Sequence, residues 1–192
     1  MFGTHSTSDK VEPSWVAKVL HFWFNELGEG HWFAKSDDID AQIRDRFLPL
    51  HDLVVANDGP DATRQRPLLA AVIVLDQFSR NLFRGTPRAF VADPVARRLA
   101  RTAIKRDFDV AMTEQERLFL YMPFQHSENG EDQALAVELI TRLGNEEWTR
   151  DAIVHKAIID RFGRFPHRNA VLNRRSSPDE VALLQEPKGW WF

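Results

Sequence analysis

A chain of 192 residues, 43% hydrophobic and 28% charged, is long enough to bury one sizeable core, and no linker-like stretch divides it, so residues 1–192 read as a single domain. The net charge of −3 supplies no global field for nucleic acid or an acidic membrane, and the absence of cysteine excludes disulfides and thiolate chemistry. The opening MFGTHSTSDKVEP has no basic region followed by an apolar core, and the longest apolar run is far short of a membrane span, so a soluble cytoplasmic protein is expected.

Pro13 suits a first helical turn, and Val16, Val19, Leu20 and Trp23 mark the apolar face of a first helix ending before Gly28. Phe22, Trp23, Phe24, Trp32 and Phe33 bracket a GEG turn, which places the loop back on its own helix through aromatic packing. Ser36 or Asp37 caps a second helix with Ile39, Ile43, Phe47 and Leu50 inward, and Asn57, Gly59 and Pro60 end it. The third element, Leu68 to Asn81, opens with eight consecutive apolar residues behind Pro67 and continues through Phe78 and Leu82 at helical spacing. A helix apolar nearly all round must be surrounded by others, so it reads as the hub of the fold.

Asp93 followed by Pro94 predicts cap and first turn of a helix to about Arg106, with Val95, Leu99 and Ala103 inward and Arg97, Arg98, Arg101 and Lys105 on a solvated side. Thr113 and Glu116 have capping-box spacing for a fifth helix carrying Leu118, Phe119 and Met122, which Pro123 is expected to stop. A sixth helix runs from about Glu131 to Leu143 with Asp132, Gln133, Ala136, Leu139 and Ile140 on one stripe. A seventh covers Glu146 to Phe162 with Trp148, Ala152, His155 and Ile159 aligned, and Gly163 ends it. A turn near Asn169 and a last helix from Pro178, capped by Ser177 with Glu180, complete an all-α chain of about eight or nine helices. Short connections favour antiparallel helix pairs stacked in a tetratricopeptide-like arrangement. The C-terminal GWWF is apolar enough to dock on its own domain or on a neighbour.

Four polar groups interrupt the apolar stripes. Asp76 and Arg80 continue the core-facing side of the hub, flanked by Gln77 and Asn81; the bland alternative is a structural ion pair at a helix end. His126, Ser127 and Glu128 enter a helix, where capping competes with chemistry, and no Gly-x-Ser-x-Gly elbow supports a serine hydrolase. Gln133 lies on the inward stripe, and His155 reads as a core histidine or an acid–base group. His126, Glu128 and His155 lack metal-site spacing, so no metal and no cofactor are predicted. The segment Arg161 to Arg175 carries five arginines and one histidine with no acid, and includes Arg161, Arg164, His167, Arg168 and Asn169. Guanidinium forks suit carboxylate or phosphate, so this is where an anion is expected, although pairing with acids elsewhere is an equal alternative.

The stretches VLHFWF with a following WF, VLDQFSRNLFRGTPRAFVAD, FLYMPFQHSENGEDQ and HKAIIDRFGRFPHRNAVLNRRSSPDE closely resemble the family called domain of unknown function 924. The resemblance implies an all-helical, tetratricopeptide-like fold and supplies no function. The singled-out polar residues fall inside its signature motifs. One departure is that Leu172, Asn173 and Arg174 stand where the family usually has Leu-Gly-Arg.

Two functions are expected to compete. The first is a binding module whose arginines, Arg80, Arg161, Arg164 and Arg168, receive an anionic small molecule or peptide, with Gln77, Asn81, Gln133, His167 and Asn169 completing the site. The second is a hydrolase or transferase on an anionic substrate, with Asp76, His126, Glu128 and His155 sharing acid and base roles. Nucleic acid and membrane are not expected partners.

Overall fold

The computed structural model describes residues 11–61 and 63–186, so the GWWF terminus lies outside the described residues. Among the described residues every regular element is helical. The helices are α1 (Ser14–His21), α2 (Asp37–Ala56), α3 (Gln65–Val72), α4 (Ser79–Leu82), α5 (Asp93–Lys105), α6 (Glu114–Gln125), α7 (Gly130–Thr141), α8 (Glu146–Phe162) and α9 (Pro178–Gln185), joined by short 3₁₀ turns. A π-helical turn, Ile73–Phe78, fuses α3 and α4 into one rod, and a second, Phe22–Leu27, extends α1. No helix of the described residues is long and apolar enough to cross a membrane.

The rod is the hub. Every residue from Pro67 to Ser79 is buried, and α1, α2, α5 and α6 pack around it. Phe22, Phe47 and Phe78 interlock there, with ring centroids 5.1, 6.0 and 4.9 Å apart, so α1, α2 and the rod share one aromatic core. Trp32 returns to α1 as its sequence position implies. Its Nε1 donates to the Trp23 carbonyl at 2.8 Å and its ring meets Phe24 and Phe119 edge-on, so the cluster packs the loop onto its own helix. From α5 to α8 each helix packs on its sequence neighbour, α5 on α6, α6 on α7 and α7 on α8, as short connections require, while α9 packs on the 3₁₀ turn Pro166–Arg168.

The end signals act as expected at Ser36, which accepts from Ile39 N–H, and at the two capping boxes, Thr113 with Glu116 and Ser177 with Glu180. Gly163 takes a left-handed φ of 68° at the end of α8. Three readings need correction. Pro123 does not stop α6: the helix runs to Gln125, because a proline one turn from the end removes a single late N–H bond. Asp93 does not cap α5; the capping position is Ala92, and the Asp93 carboxylate turns inward. Arg97 and Arg101 are not merely solvated: both reach Asp132 on α7, Arg97 at 3.4 Å.

Candidate functional site

The π-turn carries the chemistry. Inserting an extra residue in the hydrogen-bond ring of a helix is costly, and such turns concentrate at functional positions. Here it sets Asp76 and Gln77 wholly inside the fold, facing α6. Nδ1 of His126, at the end of α6, lies 2.9 Å from both Asp76 oxygens. Gln77 Nε2 donates to the same carboxylate at 2.6 Å, and Arg80, one turn along the rod, lies 3.1 Å from it. Burial alone would raise the Asp76 pKa, but Arg80 and His126 outweigh it and hold the carboxyl well below the usual range. Asp76 therefore stays ionised with its oxygens fully engaged. Its contacts are with His126, Gln77 and Arg80.

Arg80 in turn grips Asp93 with both terminal nitrogens, at 3.1 and 3.2 Å. Asp93 faces a second guanidinium, Arg168, whose nearest nitrogen is 3.9 Å away. That arginine is unusual: it is 7% exposed, its Nε has no hydrogen-bond partner, and its Cζ sits 4.6 Å from the ring centroids of both Phe90 and Phe165. Burial, then the neighbouring Arg80, push its pKa down to about 10, so it remains charged at neutral pH. The rings then close the circuit. Phe165 meets His155 at 5.6 Å and His167 at 5.5 Å, and His155 meets His126 at 6.4 Å.

The three histidines are all shifted toward the neutral form, by burial first. His126 is lowered, His155 falls to about 4 and His167 to about 3, with the arginines adding to the shift. His155 Nδ1 faces the Asp151 carbonyl at 2.8 Å, which fixes the hydrogen on that nitrogen. Among the described residues no group of three or more His, Cys, Asp or Glu is placed to hold a metal ion.

The remaining sequence-designated residues occupy other positions. Glu128 accepts the Phe165 N–H at 2.8 Å and is gripped by both terminal nitrogens of Arg174, so it clamps the Arg-rich loop to α6. Gln133 donates to the carbonyls of Gln125 and Ser127, both at 2.7 Å, and so holds the backbone on which His126 sits. Asn81 joins Arg84 on Asp40, outside the circuit. Arg164 pairs with Glu180, Asn169 donates to Ser176, and Arg161 lies against Phe162. A surface depression of about 390 Å³ is lined by Arg161, Arg164, Ser177, Asp179 and Glu180, but its two carboxylates cancel the arginines. Glu180 is covered in surface area, 2% exposed, yet few atoms surround it; its pKa is lowered to about 2 chiefly by the Arg164 hydrogen bonds.

Sequence reasoning missed Asp93 and Phe90, both contained in the motif ending AFVAD, because a carboxylate before proline looks like a cap. It also missed a Ser–His–Asp set: His51 Nε2 is 2.8 Å from Ser79 Oγ, and Asp52 Oδ1 is 3.3 Å from Nδ1. Ser79 is fully buried and its hydroxyl donates to the Leu75 carbonyl at 2.6 Å, so this is a strut between α2 and the rod, not a nucleophile.

The family model for "Bacterial protein of unknown function (DUF924)" matches residues 19–188. The chain belongs to the DUF924 family. It is similar to the solved structure of the protein of unknown function ATU0120 from Agrobacterium tumefaciens, at 38% identity and a TM-score of 0.85, covering 90% of this chain and 98% of that one. No curated protein matches the chain. The DUF924 match spans every residue of the circuit from Asp76 to Arg168.

Proposed function

We propose that this DUF924 protein is a binding module whose ligand is a small anion, received at the circuit of Asp76, Arg80, Asp93, His126, His155 and Arg168. The observation that carries the reading is Arg168: a buried guanidinium with an unpartnered Nε and its nearest carboxylate 3.9 Å away, whereas Arg80, Arg164 and Arg174 each grip an acid with closer nitrogens. Buried donors left unpaired are costly, and the planar fork matches carboxylate or phosphate oxygens. The flanking Phe90 and Phe165 rings hold that fork in place by cation–π contact, which preorganises it. Arg161 and Arg164 have no part in this reading.

A ligand that binds only the folded state at about a hundred times its Kd stabilises by about 2.7 kcal/mol, a rise in Tm of roughly 5–10 °C for a chain of this size. Phosphate, sulfate and short carboxylates, screened by thermal shift, should raise the Tm of the wild type and of Arg164→Ala, but not of Arg168→Met. Equal shifts in all three proteins would refute the site.

One contact favours a second reading, a hydrolase or transferase acting on that anion. The Asp76–His126 pair has the geometry of an oriented general base. Turnover of phosphate or carboxylate esters that is lost in His126→Gln would support it, and binding without turnover would leave the module.

A further inference from the structure

We propose that the anion taken by this site carries a hydroxyl beside its charge: the charged oxygens accept from Arg168 and the hydroxyl donates to Nε2 of His126, as a hydroxycarboxylate or a protonated phosphate would. The inference rests on the anion-binding reading above and adds to it the class of ligand.

The argument is one of donors and acceptors. A carboxylate can only accept, and Asp76 is ionised, so the imidazole nitrogen 2.9 Å from both its oxygens carries the hydrogen. The other nitrogen of a neutral imidazole then holds the lone pair. His126 Nε2 is thus an acceptor, made more basic by the carboxylate behind it. The side chain is 12% exposed and Arg80's is 20%, so solvent reaches this end of the circuit. The charges around it are already balanced, since Asp76 and Asp93 offset Arg80 and Arg168. A further positive charge on His126 would stand beside two guanidinium groups with no acid to spare, as Glu128 is committed to Arg174. The imidazole remains an acceptor, and a bare oxyanion laid against it would put lone pair on lone pair.

Arg168 is the opposite kind of group. It offers donors only, and its Nε is unpartnered. The two ends of the circuit therefore ask for opposite things from one molecule, an anionic oxygen at Arg168 and an O–H at His126. Simple monocarboxylates and sulfate supply only the first. A site built to bond a hydroxyl discriminates against the analogue lacking it, here by on the order of tenfold or more in Kd.

The test uses matched probes that differ in that hydroxyl: lactate against propionate, and phosphate against sulfate near pH 6, where phosphate keeps a proton. Calorimetric titration of the full chain should give lactate at least about tenfold tighter than propionate, or phosphate at least about tenfold tighter than sulfate, and the pair that shows the gap identifies the source of the oxyanion. His126→Phe should close the gap, the hydroxyl-bearing probe of the discriminating pair losing at least about tenfold more affinity than its hydroxyl-free partner. Because that variant can misfold, nitrogen NMR of the wild-type histidines gives a second measurement: lactate or phosphate should move the His126 Nε2 resonance and the hydroxyl-free partner should not. Equal binding within both pairs, or a gap with no change at His126, overturns the inference and leaves anion binding standing. No binding of any of the four overturns the anion-binding reading itself.

Discussion

Two carboxylates meet the hub rod, and they are used differently. Asp40, from α2, accepts from Asn81 at 2.8 Å and from Nε and a terminal nitrogen of Arg84 at 2.8 Å, while 38% of the Arg84 side chain remains exposed. Asp76 accepts from Gln77, His126 and Arg80, and none of its side chain reaches solvent. The first cluster closes on itself: each of these donors has its acceptor, and water stands by. The second runs on through Arg80 and Asp93 to Arg168, where the donors outnumber the close acceptors. An ion pair that completes itself at the rim acts as a fastener between α2 and the rod, whereas the sealed pair leads to a guanidinium whose Nε has no hydrogen-bond partner, which is where the proposed anion would be received.

Removing each carboxylate gives the largest expected contrast. Asp76→Ala strips the His126 imidazole of its acceptor and leaves the Arg80 guanidinium with Asp93 alone, and should cost about 3–5 kcal/mol in urea unfolding. Asp40→Ala exposes donors that can turn to water and should cost about 1–2 kcal/mol. Equal losses would mean that the two clusters differ only in depth.

Acid should act on the second cluster first. The folded chain holds His155 at about 4 and His167 at about 3, below the ordinary 6.5. Below that ordinary value the unfolded chain binds protons that the folded one refuses, so stability is full above it and falls as pH drops toward the folded values. Each histidine contributes a slope of about 1.4 kcal/mol per pH unit, so on the order of 3 kcal/mol should be lost between about pH 6.5 and 5. Urea midpoints measured across that range should show it, and His155→Gln should remove that residue's share of the slope, about 1.4 kcal/mol per pH unit. An unchanged slope would place the acid sensitivity elsewhere.

Arg168→Met sharpens the contrast from the other side. Exchanging a poorly paired buried charge for an apolar chain of similar length between Phe90 and Phe165 should leave stability within about 1 kcal/mol of wild type, while abolishing the roughly 2.7 kcal/mol that a saturating anion adds. Arg84→Met, at the closed cluster, should do the reverse: a loss of about 1 kcal/mol with the anion response intact. These are read from urea curves with and without phosphate.

What the sequence made legible follows the range of the interactions. Caps at Ser36, Thr113 and Ser177, the left-handed Gly163 and the apolar hub are local or periodic, and each lies where its pattern puts it. Asp76, His126 and His155 stood out because polar groups on apolar stripes are rare. Their partners did not stand out. Asp93 reaches Arg80 across a turn, Arg84 reaches Asp40 on α2 from the turn after α4, and Glu128 finds Arg174 across 46 positions, none of which a helical period can encode. The π-turn was equally hidden, since an apolar run looks the same in either helical form. The arginine-rich segment shows the cost of this: five charges read as one anion site, yet Arg164 and Arg174 are committed to Glu180 and Glu128, Arg161 and Arg175 are exposed, and Arg168 is the one that is buried without a close acid.

The smallest effect concerns the turn that aims that segment. Asn173 has a left-handed φ of 53°, at the position where the family resemblance implies glycine, and the turn is closed by Arg174 N–H donating to the Asn169 carbonyl at 2.8 Å. Asparagine is among the few side-chain-bearing residues that adopt this region readily, which explains how the chain departs from the family pattern without losing the turn. Asn173→Gly should therefore change stability by only a few tenths of a kcal/mol, the added freedom of the unfolded chain offsetting the relief of strain. Asn173→Val puts a branched carbon in a conformation it disfavours and should cost about 1–2 kcal/mol. If the turn serves only the fastener formed by Arg174 and Glu128, the valine variant will lose that stability and bind phosphate as before. If it also aims Arg168, five residues back on the same loop, the anion response will weaken along with it, and the two circuits share one hinge.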